Sequence, residues 1–84
     1  MNMYYTYLLQ SLKDNGFYIG YTHNLRHRFE QHTNGEVDAT MHRRPVKLFY
    51  YEAYETATLA QERERKLKQF GSAYVALLKR LDVK

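Results

Sequence analysis

Apolar and polar positions along this chain change period several times, and each change predicts an element. Met3 to Gln10 is rich in Tyr, Thr and Leu and reads as a strand. Lys13-Asp14-Asn15-Gly16 follows, where Asn-Gly supplies the positive φ of a tight turn, and Phe17 to Tyr21 is the returning strand. From Asn24 the period becomes helical. Leu25, Arg28, Phe29 and His32 fall at i, i+3, i+4 and i+7 on one face, Asn24 is placed to cap the helix, and Asn34-Gly35 ends it. Glu36 to Arg44 is polar and irregular, and Pro45 closes it. Val46 to Tyr54 is apolar on much of both faces, which predicts a strand in the middle of a helix-covered sheet. Thr58-Leu59-Ala60-Gln61 has the form of a capping box. The helix it opens places Leu59, Arg63, Leu67 and Phe70 along one side, and Gly71 stops it. Ser72 caps a last helix whose apolar stripe is Tyr74, Leu77, Leu78 and Leu81. The order ββαβαα predicts an α/β fold of the α+β kind, a small three-stranded, mainly antiparallel sheet flanked by helices, as one domain over residues 1–84.

Composition narrows the setting. The chain has no cysteine, so neither disulfides nor a cysteine zinc site hold it together. Met1-Asn2-Met3-Tyr4-Tyr5 lacks the basic start and apolar run of a signal peptide, and no apolar stretch approaches membrane-spanning length. A soluble, cytoplasmic protein without a membrane partner is the expectation. Thirteen Lys+Arg against nine Asp+Glu give a formal charge of +4, which suits a phosphate-bearing partner and equally suits simple solubility. Nine tyrosines and no tryptophan are less ordinary. Clustered tyrosines fit half-buried strands, with rings inward and hydroxyls at a wet edge.

Two strands joined by the turn bring Tyr7 and Tyr18 side by side, with Arg28 on the next helix facing them. Tyr5-Thr6-Tyr7, Tyr18-Ile19-Gly20, Arg28 within Asn24-Leu25-Arg26-His27-Arg28, His32 one turn later, and Glu64 in Glu64-Arg65-Lys66-Leu67-Lys68 together resemble the GIY-YIG nuclease domain. The second half-motif matches letter for letter; in the first only Tyr7 fits. Arg43-Arg44-Pro45-Val46-Lys47-Leu48 and Tyr50-Tyr51-Glu52 resemble the small stand-alone, excision-repair-like branch of that family. Nearly the whole chain is covered. The sequence departs at Tyr21, where some members carry lysine, and at Ala39-Thr40-Met41, where relatives often show Ser-Thr-Lys. Each departure removes a cation from the tyrosines' neighbourhood.

The resemblance implies a divalent-metal-dependent endonuclease that hydrolyses DNA phosphodiester bonds, with DNA ahead of RNA as substrate. Tyr7, Tyr18, Arg28, His32 and Glu64 are then the catalytic set. Phosphodiester hydrolysis needs an activated nucleophile, neutralised charge and help for the leaving oxygen. Arg28 suits bidentate phosphate binding. Glu64 is a hard oxygen ligand for Mg²⁺ or Mn²⁺, held chiefly when substrate is present. Tyr7 or Tyr18 is the base or the water-orienting group, and a phenol of pKa about 10 needs nearby cations such as Arg28 to act as a base. The residues leave open which tyrosine acts. His32 has a supporting role. Arg43, Arg44, Lys47 and Lys68, with Arg63, Arg65 and Lys66, are candidates for nucleic-acid backbone contacts.

Each assignment has a plainer rival. Tyr7 and Tyr18 also fit as core strand residues, Arg28 as a surface charge, and His32 as a structural histidine. Glu64 shares a charged run with Glu62 but lies closer to the apolar stripe. The second functional class is a non-catalytic nucleic-acid-binding module that keeps the basic, tyrosine-lined surface. The third is a docking domain using the stripe of the last helix. The chain shows no additional module to read a sequence, so the expectation is that it cuts with low selectivity, recognises a structural feature of the substrate, or works with a protein partner.

Overall fold

The computed structural model of the protein describes residues 2–83. Its elements run β1 (Tyr4–Ser11), β2 (Phe17–Thr22), α1 (Leu25–Thr33), α2 (Asp38–Met41), β3 (Val46–Tyr54), α3 (Ala57–Leu67) and α4 (Ser72–Arg80). The three strands form one antiparallel sheet flanked by helices, as the sequence predicts. Asn15 takes φ +62° in the β1–β2 turn, and Gly35 takes φ +78° after α1. Asn24 caps α1, its side chain accepting from the His27 N–H. One helical turn, α2, interrupts the segment expected to be irregular. Four residues carry too little periodicity to read as a helix.

Strand order is β2-β1-β3, so the central strand is β1 and β3 lies at an edge. That corrects the expectation for Val46–Tyr54. Its Lys47, Tyr51 and Ala53 are exposed, and its apolar content is aromatic surface rather than double-sided burial. β1 instead has four consecutive buried residues, Thr6, Tyr7, Leu8 and Leu9. Neighbours on both edges and helices on both faces bury them.

Alternation along β1 divides the molecule into two layers. Leu8 joins Ile19, Leu67 and Leu77 in the core, with Phe17, Phe49, Tyr50, Tyr74 and Leu78 packed around them. The α4 stripe is therefore occupied, which removes it as a free docking surface. The face of α3 is rotated from the predicted one. Ala60 and Leu67 are buried, whereas Leu59 is 52% and Phe70 58% exposed. Thr56, two residues earlier than expected, caps this helix by accepting from the Leu59 N–H. Ala60 has no bulk to hold the helix away from the sheet, and its carbonyl accepts from Thr6 Oγ1 at 2.6 Å. Phe70, at φ +54°, makes the bend after α3, and Gly71 precedes α4 as its N-cap position. Ser72 is the first residue of α4 and makes no capping hydrogen bond.

Glu52 ties β3 to both helices of this layer. It accepts from Arg63 Nε at 3.0 Å and Nη2 at 3.1 Å, and from the hydroxyls of Tyr50 and Tyr54, with Arg80 Nη2 at 3.8 Å. Burial pushes this carboxyl up, but the bonds from Arg63, Tyr54 and Tyr50 outweigh it and hold the carboxyl below its ordinary value. Arg63, a candidate phosphate contact by sequence, is thus committed to the fold. Removing one partner of a largely buried pair leaves the other uncompensated. Glu52→Ala is expected to lower unfolding stability by about 3 kcal/mol. Urea denaturation measures it, and a loss below about 0.5 kcal/mol, the scale of a surface substitution, would mean that the cluster does not tie the layers.

Candidate active site

The other face of the sheet is organised by one close approach. Tyr7 on β1 sits opposite Gly20 on β2. A Cβ at position 20 would run into the Tyr7 ring and hydroxyl, so glycine is what lets that ring lie across β2. The hydroxyl then reaches α1 and meets His32 Nε2 at 2.8 Å. His32 Nδ1 meets Thr40 Oγ1 of α2 at 2.7 Å. All three side chains are buried. Tyr18, two residues before Gly20 on the same face and only half-buried, brings its ring to 5.3 Å from that of His32 and 6.4 Å from that of Tyr7.

Arg28 lies one helical turn before His32, so the two share the face turned to the sheet. Its Nη1 donates to Gln31 Oε1 at 3.0 Å. Burial raises the Tyr7 hydroxyl to about 12, and the nearby Arg28 guanidinium opposes that rise without cancelling it. Neighbouring Tyr18 and Glu64 push it up further. His32 is lowered to about 4, by burial first and by the Arg28 charge second. Arg28 does push the Tyr7 hydroxyl toward greater acidity, as the sequence leads one to expect, but desolvation is the larger effect and the net shift is upward. At neutral pH the site therefore rests with a neutral phenol and a neutral imidazole.

A neutral His32 carries one ring N–H, so of its contacts with Tyr7 and Thr40 it donates at one and accepts from a hydroxyl at the other. His32 is the middle of a hydrogen-bonded chain from β1 to α2.

Glu64 reaches the cluster from the opposite layer. The Thr6–Ala60 bond fastens α3 beside Tyr7, and Glu64 is one turn beyond Ala60. Its side chain is 22% exposed, and Oε2 holds Lys68 Nζ at 3.0 Å, leaving Oε1 unengaged by an ion pair. Among the described residues no three His, Cys, Asp or Glu side chains cluster as a metal cage. The single hard oxygen donor of Glu64 fits a hydrated Mg²⁺ or Mn²⁺ that takes its remaining ligands from water and phosphate.

The structure thus gathers Tyr7, Tyr18, Arg28 and His32, with Glu64 near enough for its charge to act on Tyr7. The four basic candidates separate. Arg43 Nε pairs with Asp14 at 3.2 Å and Lys68 with Glu64, whereas Arg44 donates to the Met41 carbonyl and Lys47 lies over the Phe49 ring. Thr40 was not legible in advance, because an eight-residue spacing from His32 across a turn has no period.

A family model described as the GIY-YIG catalytic domain matches residues 3–74. The chain belongs to the GIY-YIG family, a nuclease family. It is 43% identical over 68 residues to a UPF0213 protein of Clostridium perfringens, covering 80% of this chain and 72% of that protein. It is 37% identical over 72 residues to a UPF0213 protein of Staphylococcus saprophyticus, covering 84% and 87%. A UPF0213 protein of Haloquadratum walsbyi is 32% identical over 71 residues, covering 83% and 80%. No solved structure matches. Among the described residues, no helix is long and apolar enough to cross a membrane.

Burying His32 neutral has a pH consequence. A histidine lowered from 6.5 to about 4 stabilises the fold fully above pH 6.5, and that contribution is lost as pH falls toward 4. Unfolding stability should drop by about 2 kcal/mol between pH 6.5 and 5, before most carboxylates titrate. Chemical denaturation at both pH values tests this, and His32→Gln should flatten the dependence. An equally steep dependence in the variant would move the cause elsewhere. Gly20→Ala forces the Tyr7 ring aside and is expected to cost about 1–3 kcal/mol, with a changed near-ultraviolet tyrosine spectrum.

Proposed function

We propose that the protein is a divalent-metal-dependent endonuclease that hydrolyses DNA phosphodiester bonds. The observation that carries this reading is the placement of the Tyr7 and Tyr18 rings side by side on one face of the sheet, with the Arg28 guanidinium and the Glu64 charge acting on the Tyr7 hydroxyl. Arg28 binds the phosphate. Its present partner, the neutral Gln31 amide, is weaker than a charged phosphate oxygen and gives way to it.

Tyr7 and Tyr18 divide the remaining work. A phenol at about 12 is ionised in roughly one molecule in 10⁵ at pH 7, so Tyr7 is a poor base. In the tautomer in which Tyr7 donates to His32 Nε2, its oxygen lone pairs accept a hydrogen bond from the attacking water and orient it. Tyr18, the more open of the two, releases its own hydroxyl proton to solvent and, as the phenolate, takes the proton of the attacking water. A divalent ion on Glu64 would supply Lewis-acid stabilisation of the charge developing on the phosphate. Lys68, on the other carboxylate oxygen, holds Glu64 in its rotamer.

The test is incubation with labelled single-stranded, duplex, flapped and branched DNA, and matching RNA, with Mg²⁺, Mn²⁺ or EDTA. Cutting that needs metal and is lost in Glu64→Ala supports the reading. Tyr18→Phe should lose about 10²–10⁴-fold in rate, as removal of a positioned base does, and Tyr7→Phe markedly less. Cutting that survives Glu64→Ala would overturn the site. Salt-sensitive, metal-independent binding without turnover would instead make the chain a nucleic-acid-binding module.

A further inference from the structure

A second concave feature lies beyond the end of α1, away from the tyrosines. The β1–β2 turn, the last residue of α1 and the loop from α2 into β3 enclose an open cleft of about 540 Å³. Met41, Pro45 and Val46 provide apolar lining, Thr33 a hydroxyl, and Lys13 and Arg44 the cations. This volume lies within the range of small-ligand sites.

Its cations are held, yet their charge is not compensated. Lys13 Nζ donates to the His42 carbonyl at 3.1 Å, and Arg44 Nε to the Met41 carbonyl at 3.0 Å. Both are carbonyls at the end of α2, where the helix favours positive charge. Neither side chain has a carboxylate partner among the described residues, as is also true of Arg26, Arg28, Lys47, Lys66 and Lys79, whereas Arg43, Arg63, Arg65, Lys68 and Arg80 are paired. The Arg44 guanidinium occupies the space over Gly35 that any Cβ there would fill. The walls are pinned as well. Ser11 Oγ donates to the Arg43 carbonyl at 2.7 Å, the Leu12 N–H to the Pro45 carbonyl at 2.7 Å, and the His32–Thr40 bond joins α1 to α2.

We infer that this cleft is a phosphate-binding subsite in which Lys13 and Arg44 hold a phosphate of the nucleic-acid strand, apart from the phosphate at Arg28. Two preset cations over an apolar floor fit a phosphate carrying an organic group better than a free inorganic ion. The subsite rests on the nucleic-acid reading of the active site. It adds Lys13, which the sequence did not single out, and separates Arg44 from its ion-paired neighbour Arg43. Tyr7 and Lys13 are six residues apart along β1 and its turn, at most about 20 Å, a span that a few nucleotides of one strand can bridge. Such phosphate contacts position the substrate and carry no sequence information.

The test is oligonucleotide binding by fluorescence anisotropy in EDTA, where no turnover occurs. Lys13→Gln and Arg44→Gln should each weaken binding by roughly three- to tenfold and make the log K against log salt slope shallower by about 0.7–0.9. Lys79→Gln, on exposed α4, is the control for loss of a surface charge. Arg44→Lys keeps the charge and should retain most of the affinity, which separates a phosphate contact from damage to the loop. Titration with a mononucleotide, followed by amide shifts, should move Lys13, Thr33, residues 41–44 and Val46. Equal weakening on 5′-phosphorylated and 5′-hydroxyl strands assigns an internal phosphodiester, and weakening only on phosphorylated strands assigns a terminal phosphate; both support the subsite. Variants that bind like Lys79→Gln, with amide shifts elsewhere, overturn it. A protein that fails to cut leaves this result untouched, and a nuclease with unchanged Lys13→Gln binding loses only the subsite.

Discussion

The passage of the Tyr7 ring over Gly20 is the constraint around which the active-site layer is arranged. A side chain at position 20 would block the ring, the hydroxyl would miss His32, and α1 would lose its buried link to β1. His32 then has two fixed ends, one on β1 and one on α2. Its burial as a neutral ring makes sense only with both ends satisfied, because an unpaired buried imidazole nitrogen costs about 1–3 kcal/mol. Glycine in the second half-motif is therefore a packing requirement of the tyrosine in the first.

The opposite layer delivers Glu64 by a different device. Ala60 lets α3 approach β1 until Thr6 can bond its carbonyl, and Glu52 fixes the far side of the same helix through Arg63. Thr6 and Tyr7 are consecutive, so they point to opposite faces of β1. One strand thereby sets the position of both layers. Residues from α1 and from α3 act on the same hydroxyl because both helices are referenced to adjacent residues of the central strand.

Much of this was legible in the chain. The hairpin, the α1 face of Leu25, Arg28, Phe29 and His32, and the α4 stripe followed from period and turn chemistry. Three features did not. β3 reads as central because aromatic residues are apolar by type, although Tyr50 and Tyr54 use their hydroxyls at Glu52 and Tyr51 faces outward. The α3 stripe was misplaced because Leu59 and Phe70 outweigh Ala60 in any hydrophobicity pattern, while close packing selects the small residue. Thr40 and Lys13 gain their significance from contacts across turns, which no local pattern encodes.

Arg28 acts on both members of the buried Tyr7–His32 pair, and this limits what the pair can do. Its charge makes the phenol more acidic and the imidazole less basic. Burial widens the difference, leaving the phenol at about 12 and the ring at about 4. A phenol made less acidic and an imidazole made less basic both oppose moving the proton from oxygen to nitrogen. A phosphate on Arg28 would screen its charge, raising the basicity of both groups, so the two changes largely cancel and the gap persists. The proton therefore stays on Tyr7. The pair works as a strut that fixes the direction of the phenol's lone pairs, rather than as a relay. On the proposed reading, proton transfer falls to Tyr18, which has the freer access to water on this face of the sheet.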